Sequence, residues 1–305
     1  MKSAFIETIY KETEKNDKVV TLVGDIGAFL FRFYIKDFPQ NFLNMGIAEA
    51  NMVGVASGLA MSGKIPFVYS IAPFVTARVF EQIKVDVCYN NANVKIIGVG
   101  SGVTYSSLGC THHALEDVGI LNTLPNMVIF SPSEPSEVAE ATVAAVKHKG
   151  PVYIRISAQS ESLVYEKEPF EIGRARFVRK GKDIAIFATG DTVKEALEAA
   201  RILEERGVDS YVVNFHTLKP IDRKVIQELS RKCRLIISVE EHSTLGGLGS
   251  IVASVMVQDT KNTATLKILG FDDVFCRDYS KDKSELFEKY GISAKKIVAE
   301  VENLL

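Results

Sequence analysis

Short apolar runs rich in β-branched residues alternate with longer stretches of helical periodicity along nearly the whole chain. Residues 19–23, 65–69, 94–99, 127–130 and 152–156 are short runs dominated by β-branched and other apolar residues, which predicts buried strands. Between them, 2–15, 48–61, 76–89 and 135–147 carry the spacing of helices. The last of these opens at Ser133-Glu134-Pro135-Ser136, predicting a hydroxyl cap with proline in the first turn. Between 157 and 174 the pattern lapses into a polar, acid-rich stretch. A second series then follows: strands at 184–188, 210–214, 235–239 and 265–269, and helices at 193–206, 223–232 and 248–257. The alternation predicts an α/β fold in two domains, each a mostly parallel sheet flanked by helices. The boundaries read as 1–160, a linker over 161–174, and 175–305.

Composition narrows the picture only a little. With 305 residues, 47% hydrophobic, 24% charged and a net charge of −2, the chain reads as a globular protein with no bias toward nucleic acid. The first residues form no signal-peptide core, and no apolar run reaches bilayer length. Cys88, Cys110, Cys233 and Cys276 are scattered without a paired motif, as expected of reduced thiols in a cytoplasmic protein and not of a zinc site.

One acidic residue changes the picture. Between Asp37 and Lys64, Glu49 is the only charged side chain, in a helix apolar nearly all round and punctuated by Gly46, Gly54 and Gly58. Burial of this helix is the expectation, with the glycines allowing close packing or ligand approach. A carboxylate there has to be paired, hydrogen-bonded or protonated. Two readings stay open from the residues alone. Glu49 is either satisfied by the backbone N–H groups of its own first turn, or it is a buried group suited to share a proton with a bound base.

The run Asn44-Met45-Gly46-Ile47-Ala48-Glu49-Ala50-Asn51-Met52-Val53-Gly54 resembles the segment of transketolases and deoxyxylulose-phosphate synthases that carries the catalytic glutamate. That resemblance implies that Glu49 hydrogen-bonds the aminopyrimidine ring of thiamine diphosphate and favours the imino form that deprotonates the thiazolium C2. Ser70-Ile71-Ala72-Pro73-Phe74-Val75-Thr76-Ala77-Arg78 resembles the next loop of split transketolases. It implies Phe74 as the aromatic partner of the ring and Arg78 as a residue near a polar substrate. Gly109-Cys110-Thr111-His112 resembles the family's Gly-x-Thr-His segment, making His112 the substrate-facing histidine and proton carrier. No role follows for His113. The motifs around His216 and His242 resemble the family's C-terminal domain, shared with the β chains of 2-oxo-acid dehydrogenases; both histidines read as structural, His242 near a subunit interface.

Three positions depart from phosphoketose-using relatives. Leu108 stands where an aspartate is expected and Gly100 where a further histidine is expected. Arg155-Ile156-Ser157-Ala158 replaces a serine–arginine pair that grips the sugar phosphate, leaving Arg155 as the candidate substitute. The departures count against an ordinary pentose-phosphate role and leave a modified ketose, a sulfonated one or a different donor open. Gly24-Asp25-Ile26-Gly27 and Asn90-Asn91 do not make the family's diphosphate and Mg²⁺ site, which wants oxygen ligands at another spacing. The resemblance therefore implies that Mg²⁺ ligands come from an N-terminal, diphosphate-binding partner subunit, in an α2β2 heterotetramer active only when whole. Alternatives are a 2-oxo-acid dehydrogenase β-type subunit or a non-catalytic assembly subunit.

Overall fold

The computed structural model describes all residues except 158–161, 164, 166 and 167. Two α/β sheets account for the strands. The first contains β1 (Val19–Val23), β2 (Phe42–Asn44), β3 (Ile65–Ile71), β4 (Lys95–Val99), β5 (Val128–Phe130) and β6 (Val152–Ile156). The second contains β7 (Arg176–Arg179), β8 (Ile184–Ala188), β9 (Ser210–Asn214), β11 (Leu235–Ser243) and β12 (Thr265–Phe271). Between β9 and β11, β10 (Thr217–Lys219) leaves the second half and pairs antiparallel with β5, giving a first-sheet order of β10-β5-β6-β4-β3-β1-β2. The second sheet runs β12-β11-β8-β9-β7, parallel except for β7. Both halves are therefore mostly parallel, as the alternation of elements predicts.

The strand sequences explain the layering. Val19 and Val23 of β1 pack with Phe5 and Ile9 of the Lys2–Lys15 helix, whereas Val20 and Leu22 pack with Met52 and Val53 of the Glu49–Met61 helix. Alternate residues thus feed opposite faces, and both faces are covered. One apolar cluster runs from Val20 and Met52 through Leu121 to Phe187, Phe215 and Leu248, so the two sheets share a continuous core.

Three local expectations need correction. The helix foreseen at 76–89 is broken: a turn at Ala72–Val75, a 3-10 turn at Ala77–Val79, a short Phe80–Gln82 piece and a π-helical Ile83–Tyr89. Thr76 leaves helical geometry (φ −124°, ψ −81°) while its Oγ1 donates to the Ala72 carbonyl at 2.6 Å. The hydroxyl of Ser133 does not cap the Pro135–Lys147 helix; it donates at 2.8 Å to Glu137, which also receives the Ser133 N–H. The Glu49–Met61 helix is buried on one side only, and an added Cβ at Gly46, Gly54 or Gly58 would meet no heavy atom within 4 Å. The edge strands β2, β7 and β10 are too short to announce themselves by periodicity. Parts of the predicted linker, and Ala158, lie outside the described residues.

Candidate active site

Parallel α/β sheets place ligands beyond the carboxyl ends of their strands, and the candidate residues gather there. Glu49 opens the helix after β2, Ser70 lies near the end of β3, Phe74 and Arg78 follow β3, and Tyr105 and His112 follow β4. Glu49 is 2% exposed. Its Oε1 accepts from Ser70 Oγ at 3.1 Å and its Oε2 accepts from Arg78 Nη1 at 2.7 Å. Side chains from another strand and its following turn therefore hold both oxygens. The backbone approaches as well: a Cβ on Gly24 would lie 3.3 Å from Glu49 Oε1 and 3.2 Å from Ser70 Oγ.

From Glu49 the site continues as a row. The Arg78 guanidinium carbon lies 4.0 Å from the centre of the Phe74 ring, a cation–π contact. Phe74 meets His112 edge-on, with centroids 5.3 Å apart and planes at 64°. On its other side His112 meets Tyr105 at 5.8 Å and 81°, and Thr111 Oγ1 sits 2.9 Å from His112 Nδ1. Tyr105 OH accepts from Lys2 Nζ at 3.0 Å. The break at Thr76 matters here, because Phe74 and Arg78 stand on the two turns that flank it. The residues fit a flat, nitrogen-rich ring: a buried acceptor, an aromatic face and a close backbone. Among the described residues no group of three or more His, Cys, Asp or Glu side chains is placed to hold a metal.

Arg155 does not join this row. It is 3% exposed, its Nε donates to Asp117 Oδ2 at 2.8 Å, and its Nη2 donates to the carbonyls of Ala114 at 2.8 Å and Glu241 at 2.7 Å. Those bonds make Arg155 a tie between the two domains, enclosed away from the row that Glu49 begins. Gly100 is occupied in a different sense: a Cβ there would lie 2.1 Å from the Tyr105 ring, so Tyr105 fills the space above it. Leu108 is exposed. His113 is buried, and burial pushes its pKa down. His216 is stacked on Phe170 at 4.2 Å, and burial pushes its pKa down to about 4. His242 lies inside the chain, its Nε2 accepting from the Gly119 N–H at 3.2 Å and its Nδ1 2.7 Å from the Ser243 carbonyl. That pair of contacts fixes a neutral imidazole with its proton on Nδ1.

Sequence reasoning passed over Ser70, Tyr105 and Lys2. Ser70 was available as the last polar residue of an otherwise apolar strand end. Tyr105 and Lys2 carry no local signal, since what places them is a contact 103 residues apart in the chain.

Residues 1–161 match the family described as transketolase, pyrimidine binding domain, and residues 173–297 match transketolase, C-terminal domain. The chain belongs to the transketolase family. It is 36% identical over 305 residues to a putative transketolase C-terminal section of Methanocaldococcus jannaschii, covering 99% of this chain and 95% of that one. It is 40% identical over 266 residues to an apulose-4-phosphate transketolase subunit of Actinobacillus succinogenes, covering 87% and 85%. A 6-deoxy-6-sulfo-D-fructose transketolase subunit of a Clostridium species is 34% identical, covering 98% and 92%. Among solved structures, one described as a split gene transketolase, inactive β4 tetramer, superposes with a TM-score of 0.88 at 36% identity, covering 99% and 96%. Transketolase relatives of this kind identify the chain as a transketolase-type subunit. No helix among the described residues is long and apolar enough to cross a membrane.

Proposed function

We propose that this chain is the pyrimidine-binding and C-terminal subunit of a split, thiamine-diphosphate-dependent transketolase. It moves a two-carbon ketol unit from a ketose to an aldose, in the cytoplasm. The observation that carries this reading is Glu49, buried at the carboxyl edge of the sheet and held between Ser70 and the Phe74–Arg78 turns. Bound thiamine diphosphate supplies a carbon nucleophile. Glu49 shares a proton with the aminopyrimidine nitrogen, and Phe74 offers its ring face to the same heterocycle. His112, held at the middle of the row, donates to a substrate hydroxyl and carries the proton that carbon–carbon cleavage releases. Arg78, on the open side, is the polar contact for substrate.

A partner subunit supplies the diphosphate and Mg²⁺ ligands, and an α2β2 heterotetramer is the working form. Two things support this: the relatives named as a C-terminal section or a subunit are covered over most of their length; and the Glu49–Met61 helix leaves apolar surface open, with Met61 63% exposed and Ile47, just before it, 77% exposed. Relatives acting on apulose 4-phosphate and on a sulfofructose support a modified ketose, phosphorylated or sulfonated, as donor. The test is ketol transfer by the chain alone and by the chain with a purified diphosphate-binding subunit, thiamine diphosphate and Mg²⁺, over a panel of ketoses. Turnover only in the mixture is the expected result. Turnover by the chain alone, or silence from a verified complex across the panel, overturns the reading.

A further inference from the structure

The two groups read above as the holders of the aminopyrimidine ring are both engaged by one side chain. Arg78 donates from Nη1 to Glu49 Oε2 at 2.7 Å, and its guanidinium carbon lies 4.0 Å from the centre of the Phe74 ring. A guanidinium is flat, cationic and rich in N–H donors, and it stacks on aromatic faces. It therefore offers Glu49 and Phe74 the same two interactions that an aminopyrimidine would. We propose that Arg78 is an internal occupant of the ring site, which holds the site in the cofactor-free subunit and swings out when thiamine diphosphate enters.

The surroundings favour such a movement. Glu49 is 2% exposed, and with no ligand present Arg78 is the charged partner of its carboxylate. Arg78 is 45% exposed, so within this chain its side chain is not enclosed. Its backbone belongs to the short Ala77–Val79 turn beside the break at Thr76, so no long helix has to shift with it. Ser70 holds the other carboxylate oxygen at 3.1 Å and keeps Glu49 in place when the arginine leaves. Released from Glu49, the guanidinium becomes available to a polar substrate, which joins cofactor entry to substrate binding. Because a competing internal contact lowers apparent affinity by the fraction of sites it closes, Arg78 weakens cofactor binding even as it protects the empty site.

This inference rests on the assignment of Glu49 and Phe74 to the ring. Its test is the thiamine diphosphate dissociation constant of the assembled complex, measured by calorimetry at saturating Mg²⁺. Arg78→Met is expected to bind about tenfold tighter, which corresponds to about 1.4 kcal/mol. Arg78→Lys keeps the charge without the planar fork and is expected to bind roughly threefold tighter. It also guards against a loss of folding in the methionine variant. Unchanged or weaker binding by both variants overturns the proposal and makes Arg78 a fixed support of Glu49. The ring assignment is judged separately by turnover of Glu49→Gln: full activity there removes the assignment whatever the Arg78 variants show.

Discussion

The Phe74 ring stands between two polar groups, with the Arg78 guanidinium 4.0 Å from its centre and the His112 imidazole meeting it edge-on at 5.3 Å. One half-buried aromatic side chain thus connects the carboxylate end of the site to its histidine end. Phe74→Ala is expected to weaken thiamine diphosphate binding by the complex about 3–10-fold, the range of an aromatic stacking contact. Its unfolding midpoint should stay near that of the parent. A wild-type dissociation constant would take Phe74 out of the ring site.

Glu49→Gln preserves the size of the side chain while removing its charge and its ability to exchange a proton. In the assembled complex kcat is expected to fall by about 10²–10⁴, the scale of a lost acid–base group. Steady-state ketol transfer checks this, with circular dichroism showing that the fold is kept.

Arg155→Met removes the guanidinium bonded to the buried Asp117 and cuts the bonds to Ala114 and Glu241. Breaking a buried pair from one side costs about 3–5 kcal/mol, so the urea midpoint should drop steeply. Retained stability with a raised KM would instead make Arg155 a substrate ligand.

Gly100 has φ +82° and no room for a Cβ beneath Tyr105. Gly100→Ala is expected to destabilise the chain by about 1–3 kcal/mol through strain and overpacking together. Adding Tyr105→Ala should recover the steric part of the loss and leave the backbone part. Urea titration of the single and double variants separates the two.

His242 gives a pH dependence whose sign follows from its burial, which pushes its pKa down from 6.5 to about 4. Between those values the unfolded chain binds a proton that the folded chain refuses, so this residue's contribution falls as pH drops from 6.5 toward 4. The neighbouring Glu240 and Glu241 act oppositely, since burial pushes both up from 4.5 to about 7 and their contribution is lost as pH rises through that window. A difference measurement isolates the histidine. The destabilisation caused by His242→Gln should shrink by about 2–3 kcal/mol between pH 7 and pH 4.5. An unchanged difference would mean that His242 is charged in the folded state at the lower pH.

The strands of the parallel sheets, most helices and the singular position of Glu49 are written in local pattern. A run such as Val19–Val23 or a helix such as Lys2–Lys15 is specified by neighbours one to four residues away, and the sequence displays those directly. Strands dominated by apolar residues and alternating with helices also announce that both faces of each sheet are covered, and with that the α/β layering. The three short edge strands, β2, β7 and β10, escape notice because three or four residues carry no period. The break at Thr76 escapes because its residues keep an ordinary helical spacing, and nothing in that spacing marks where the backbone departs from it.

The tertiary structure alone decided what each polar side chain touches. Arg78 reaches Glu49 across 29 residues of chain, and Arg155 reaches Glu241 across 86. Sequence could place both arginines in family segments, yet it held nothing to say that one faces an open site and the other is enclosed between domains. The same guanidinium is a ligand-ready cation where a surface turn leaves it half exposed, and a structural tie where two sheets close over it. Burial and partner are properties of packing between distant elements, and no periodicity along the chain encodes them.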